Sequence, residues 1–369
     1  TLPMIDQYSF NQKENIILIA CNSEQIYRHS FVADYYLYDI NTKVLTRLFD
    51  YKIQEPTFSP DGNRIAYAKD NNLFTYNLKS KEVVQITTDG EKNSIINGIT
   101  DWVYEEEFAF VKAFDWNSTG DKIAYIKFNE SEVPEFSMDI YTQGLYPTQQ
   151  VFKYPKAGEK NATVSLHIYD LKNNATQNVD FADKNDFYIP RIKWTNDSNI
   201  LSAQVMNRHQ NTLELMMIDA TKNSKRRILL DTDDAYVDVT DNLTFLRNNS
   251  FIWTSEKDGF NHIYHYTNTG KLINQVTTGN WEVTKYYGLN EKTQTIYYQS
   301  VENGSINRDI YSIQLNGKNK KRLSSKTGTN DATFSPNFEY FILTFSNTTT
   351  PTEYSLHKAA DGQAIQQIK

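Results

Sequence analysis

Three consecutive carboxylates, Glu105-Glu106-Glu107, sit inside the stretch Asp101-Trp102-Val103-Tyr104-Glu105-Glu106-Glu107-Phe108. Like charges this close repel, so a partly shielded cluster costs free energy unless a cation answers it. The neighbours Trp102, Tyr104, Phe108 and Phe110 are residues that bury or line pockets, unlike the polar flanks of a solvated run. The stretch therefore fits an anionic pocket shaped for a positive group. Two carboxylates can share one ammonium through charge-assisted hydrogen bonds. A free α-amino group, with a reference pKa of roughly 7.7–8.0, would be held there in its charged form. A solvated acidic turn is the plainer alternative. A glycosidase acid–base pair needs carboxylates roughly 5–9 Å apart across a scissile bond, which sequence neighbours supply poorly.

Other chemistries find little in the chain. There is no Gly-x-Ser-x-Gly elbow for a hydrolase nucleophile, no His-Glu-x-x-His and no cysteine pair. The 14 glycines are spread through turns and form no phosphate-binding loop. His262 and His265 fall on a strand-like segment, where odd spacing sends them to opposite faces, so structural roles are expected of them. No metal and no cofactor are expected.

The elements that must position the carboxylates are strands. Aromatic residues make up 14% of the 369 residues, with 25 Tyr and 20 Phe, a bias that favours sheet. The net charge of −7 lacks the basic stripe of a nucleic-acid binder, so no nucleic-acid partner is expected. No window approaches the roughly eighteen apolar residues of a membrane-spanning helix. The single cysteine, Cys21, allows no internal disulfide framework. Thr1-Leu2-Pro3-Met4 carries no signal-peptide features and runs at once into a strand-like segment, as a trimmed beginning would.

One pattern recurs: an aromatic residue, a polar turn, an alternating apolar run, then a second strand and often a third. The clearest copy is Phe58-Ser59-Pro60-Asp61-Gly62 to Tyr67, followed by Leu73–Leu78 and Val83–Thr87. Pro presets φ in this turn and Gly accepts a positive φ. Further copies start near Phe10, Trp116, Trp194, Phe245, Leu289 and Phe334. That makes about seven units, mostly spaced by roughly 45–55 residues, the scale of a β-propeller blade. Residues 126–166 hold an insertion with Val133-Pro134, Tyr146-Pro147 and Tyr154-Pro155, expected to form an extended arm. No linker or low-complexity segment divides the chain, so residues 1–369 are expected to be one domain.

With these residues in view, Asn97-Gly98-Ile99-Thr100 and the acidic stretch after it resemble the double-glutamate motif of the dipeptidyl peptidase IV family. Ordered satellites agree: Arg28-His29-Ser30, Phe128-Asn129-Glu130-Ser131-Glu132-Val133-Pro134, Tyr154-Pro155-Lys156-Ala157-Gly158 and Trp281-Glu282-Val283. The similarity covers essentially the whole chain. It implies an all-β β-propeller showing about seven four-stranded blades of the family's eight, the first being absent ahead of Thr1, with an extended hairpin arm.

The family joins this propeller to a C-terminal α/β-hydrolase domain and removes dipeptides from peptide N-termini, preferring Pro or Ala at the second position. The resemblance implies that Glu106 and Glu107 bind the substrate amine, Arg28 a substrate carbonyl or carboxylate, and Glu105 supports them. The Ser, Asp and His of catalysis would lie in the hydrolase domain, so no catalytic residue is expected here. The implied partners are peptides with a free N-terminus, the chain's own hydrolase domain and a second copy, contacted through residues 129–161 with Tyr141, Tyr146 and Phe152 exposed. A bacterial periplasmic or cell-surface location is implied. The loop from Tyr236 to Leu243 lacks the Phe and Arg that animal members place near the pocket. The rival readings are a non-enzymatic periplasmic binding or scaffold propeller and a propeller-fold glycosidase.

Overall fold

A computed structural model describes residues 4–368; Thr1-Leu2-Pro3, where leader features were sought, and Lys369 lie outside the described residues. Short alternating strands pair with their chain neighbours, each closed by a turn. Among the described residues they form six four-stranded antiparallel sheets, spanning residues 5–47, 54–85, 187–232, 244–275, 283–322 and 329–367. A seventh sheet, within residues 95–179, has five strands. Repeated up-and-down sheets of this kind are propeller blades, and the fold is the all-β propeller class expected. The chain divides into two compact units, residues 1–208 with 214–227, and residues 209–213 with 228–369.

The same turn recurs between the first two strands of several blades. In the second blade the Gly62 amide donates to the Ser59 carbonyl at 2.8 Å, and Gly62 has φ +73°. Ser59 Oγ accepts the Arg64 amide at 3.0 Å. In the third blade Asn117 Oδ1 accepts the amides of Asp121 and Lys122, each at 3.0 Å, and Gly120 has φ +68°. Phe338, at φ +54°, takes the equivalent place in the last blade, with Ser335 Oγ accepting from Glu339 and Tyr340. A small polar side chain thus caps the turn's amides while the fourth residue goes left-handed.

Blades pack face to face through apolar layers. Leu18, Ala20 and Tyr35 of the first blade bury against Ile65, Tyr67 and Tyr76 of the second. Trp116 Nε1 donates to the Thr57 carbonyl at 3.2 Å, and Trp194 Nε1 to the Asp115 carbonyl at 3.0 Å, so each tryptophan ties its blade to the one before. In the second unit His262 bonds Thr277 Oγ1 and the Gly279 carbonyl, and His265 bonds Ser250 Oγ. Both have the structural roles expected of them.

The third blade carries the features that matter for the site. Ile95–Asn97 and Phe114–Trp116 lie along one edge of the same strand, Lys122–Asn129. The chain between them makes an excursion pinched at its stem. Ala113 donates to the Gly98 carbonyl at 2.9 Å and Thr100 to the Val111 carbonyl at 3.0 Å, with a bridge between Ile99 and Lys112. A short helix, α1 (Trp102–Glu107), forms the tip.

Later in the same blade the insertion forms the hairpin arm, Glu135–Ile140 paired antiparallel with Thr148–Lys153. Its tip is open: Tyr141, Leu145 and Tyr146 are exposed. Phe152 corrects the expectation that it too is exposed, being only 6% accessible. It lies at the arm's base, where its ring has aromatic neighbours within the chain to cover it.

Replacing Gly62 with Ala should destabilise the chain by about 1–2 kcal/mol, the cost of a left-handed L-residue. The added Cβ would have room, 3.5 Å from Asn11 Nδ2, so the loss is conformational. Urea denaturation of the two forms measures it, and an unchanged midpoint would contradict the strain reading.

Candidate functional site: an acidic helix turn facing an arginine loop

The helix α1 is set by its neighbours more than by its own length. Asp101 is its N-cap, accepting the Tyr104 amide at 2.9 Å. Tyr104 is buried, with ring neighbours Phe108, Phe110, Phe128 and Tyr188, and its hydroxyl accepts the Ile189 amide at 3.0 Å. That anchor orients the turn. Successive helical residues are about 100° apart, so the three glutamates after Tyr104 take three different directions.

Glu105 points inward and is fully buried. Its Oε1 accepts the backbone amides of His29 at 2.6 Å and Ser30 at 2.8 Å, 76 and 75 residues away in sequence. Its Oε2 is buried and has no hydrogen-bond partner among the described residues. Glu106 is half-buried, and its Oε2 pairs with Arg28 Nε at 2.8 Å. Glu107 is exposed on the same turn and makes no ion pair among the described residues. The structure therefore brings together all four expected site residues: Arg28 meets Glu106, Glu105 holds the loop carrying Arg28, and Glu107 lies beside them.

The Arg28 loop is a tight connection between two strands of the first blade, Ile16–Gln25 and Phe31–Asp39. Ile26 donates to the Ser30 carbonyl at 2.8 Å and Tyr27 to Ser30 Oγ at 3.2 Å. The Arg28 side chain is 70% exposed. An ion pair that open adds little to stability, so the Arg28–Glu106 contact does not hold the loop in place. The two charge-assisted bonds to buried Glu105 do.

Sequence reasoning left other carboxylates of this region without a role. Glu130, quoted above only within a motif block, is 6% exposed. Burial, then the Asp101 carboxylate, push its pKa up to about 8 against the opposing Lys153 charge. Burial pushes Asp101 itself up to about 6. Glu55 has φ +51° and is raised by burial, opposed by Lys112 and reinforced by Glu105. The available signal for Asp101 and Glu130 was their place in the acidic stretch or in a conspicuous block, and Glu55 had none. In the second unit, the loop that lacks the Phe and Arg lines a cavity of about 460 Å³ with Asp231, Asp233, Asp238, Asp241, Glu256 and Glu282.

The fold and the acidic turn define a propeller with an arginine–glutamate cluster between its first and third blades. The dipeptidyl peptidase IV (DPP IV) N-terminal region matches residues 11–352, and the chain belongs to that family. Its similarity to the crystal structure of Porphyromonas gingivalis dipeptidyl peptidase 4 has a TM-score of 0.95 and 40% identity, over 99% of this chain and 52% of that one. It is 31% identical to a protein of Arthroderma gypseum named probable dipeptidyl-aminopeptidase B, over 95% of this chain and 42% of that protein. A Trichophyton verrucosum protein of the same name is also 31% identical, over 91% and 41% respectively. The chain thus spans about half the length of the relatives it matches, or less. No helix among the described residues is long and apolar enough to cross a membrane.

Glu130 yields a signed pH prediction. Its folded pKa lies above the ordinary 4.5, so its stabilising contribution is whole below about pH 4.5 and is lost as pH rises through about 8. Glu130→Gln, which cannot ionise, should therefore gain in thermal midpoint over the parent as pH goes from 5 to 9, by several degrees. A difference in midpoint that stays flat across this range would show that the carboxyl is solvated.

Proposed function

We propose that this chain is the substrate-binding and gating propeller of a serine exopeptidase that removes dipeptides from free peptide N-termini, with Pro or Ala second. Glu106 and Glu107 hold the substrate ammonium, and Arg28 takes a substrate carbonyl or carboxylate. The observation that carries this reading is the Arg28–Glu106 ion pair at 2.8 Å, next in sequence to Glu107, which makes no ion pair among the described residues. The charge of Glu105 is already engaged by two backbone amides. The remaining Arg28, Glu106 and Glu107 sum to one negative charge, which a single ammonium neutralises. The planar guanidinium, exposed at its far end, suits a peptide oxygen. Membership of the DPP IV N-terminal family and the names of the relatives support the peptidase reading.

In this reading the nucleophile and its His and Asp come from the chain's own C-terminal α/β-hydrolase domain, which the gene should encode with a Gly-x-Ser-x-Gly motif. The arm's exposed tip, with Tyr141, Leu145 and Tyr146, is a surface for a second copy. The location is the bacterial periplasm or cell surface. Gating is the propeller's second task, admitting short free chains to the amine pocket.

In the full-length enzyme, Glu106→Gln should lower kcat/KM on dipeptide-yielding substrates by about ten- to a hundredfold, since a hydrogen bond to a charged group is worth roughly 1.5–3 kcal/mol. N-acetylated peptides should be poor substrates, because acetylation removes the charge being recognised. Binding should weaken once pH exceeds the amine pKa of about 8. Steady-state kinetics on matched free and acetylated peptides decide it. Equal rates on both, with Glu106→Gln harmless, would reduce the triplet to an ordinary acidic turn.

A further inference from the structure

We propose that Phe152, at the base of the arm, is a positioning residue for the amine site, so that the arm's base helps to build the pocket while its tip stands free. The inference rests on the amine-pocket reading above. Phe152 touches both halves of that site. Its ring centroid lies 5.8 Å from Tyr27, the neighbour of Arg28, and 6.4 Å from Trp102, the first residue of α1. Trp102 and Glu106 are four residues apart and share a face of the helix, so whatever fixes the rotation of Trp102 fixes the direction of Glu106. Tyr154 packs on Trp102 from the same hairpin at 4.4 Å.

The hairpin's pairing explains why this one residue is seated. Phe136 and Phe152 are directly opposed across the two strands, with rings 6.0 Å apart and edge to face. Farther out, Met138 is exposed, so the hairpin's apolar contact with the rest of the chain is confined to its base. The Glu105 carboxylate ties the Arg28 loop to α1 by polar bonds at His29 and Ser30. Phe152 joins the same two elements by apolar contact at Tyr27 and Trp102. A binding group already held in place costs less to order when the ligand arrives, so loosening this contact should be felt as weaker substrate binding.

The test uses the full-length peptidase and a chromogenic dipeptide substrate with a free amine and Pro second. Phe152→Ala should raise KM about tenfold with kcat within about twofold, and Phe152→Tyr, which keeps the ring, should restore KM to within about twofold. In an Arg28→Ala background Phe152→Ala should add less than about twofold to KM, because both changes act through the Arg28–Glu106 pair. If circular dichroism shows Phe152→Ala unfolded, Phe152→Leu takes its place, with an expected rise of about threefold. A parent-like KM in the folded variant, a fall in kcat that Tyr does not rescue, or full additivity with Arg28→Ala would overturn the proposal. Glu106→Gln runs alongside: if it is harmful while Phe152→Ala is not, only the positioning role fails. If Glu106→Gln is harmless, the amine pocket itself fails.

Discussion

A buried carboxylate is expensive unless donors surround it, and the site depends on how Glu105 meets that demand. It takes two backbone amides, at His29 and Ser30, from a loop of another blade. Backbone amides cannot titrate or swing away, so the link between the two elements is stiff. Ser30 is buried with it, while Arg28, two residues earlier, reaches outward to Glu106. One interaction thereby sets the distance between an arginine and a glutamate far apart in the chain. The second oxygen, Oε2, is buried and makes no hydrogen bond among the described residues.

Three adjacent glutamates then divide the work because a helical turn separates them by angle. Glu105 faces inward, Glu106 sits at the margin, and Glu107 faces solvent. Tyr104 chooses this phase of the turn, since its ring and hydroxyl are locked by Phe128 and the Ile189 amide. A rotation of one residue would bury Glu106 and release the Arg28 loop. The functional reading therefore rests on an aromatic anchor with no polar role toward a ligand.

The propeller supplies such junctions readily. Several blades repeat one turn, and neighbouring blades share apolar packing layers, so an excursion from a blade edge costs the core little. The residues 98–113 leave and rejoin a single strand edge through stem bonds at Gly98 and Thr100. The arm leaves the third blade between its paired strands Lys122–Asn129 and Thr163–Asp170, and its base returns to pack on that excursion.

Much of this was legible in the amino-acid order. The Ser-Pro-Asp-Gly and Asn-Ser-Thr-Gly turns, the alternating runs and their spacing specify the blades, because strand period and turn chemistry are local properties. The acidic triplet among aromatic residues marks the site for the same local reason. Its pairing with Arg28 was reachable only through resemblance, since nothing local links residues 78 positions apart. The division of labour among Glu105, Glu106 and Glu107 was decided by tertiary packing, which sets the rotation of the helix about its axis. Phe152 shows the same limit from the other side. The arm role implied by the resemblance predicts its exposure, and only the folded chain brings Tyr27 and Trp102 to cover it. Burial of a side chain is a property of what arrives from elsewhere in the chain, and that information lies in the fold.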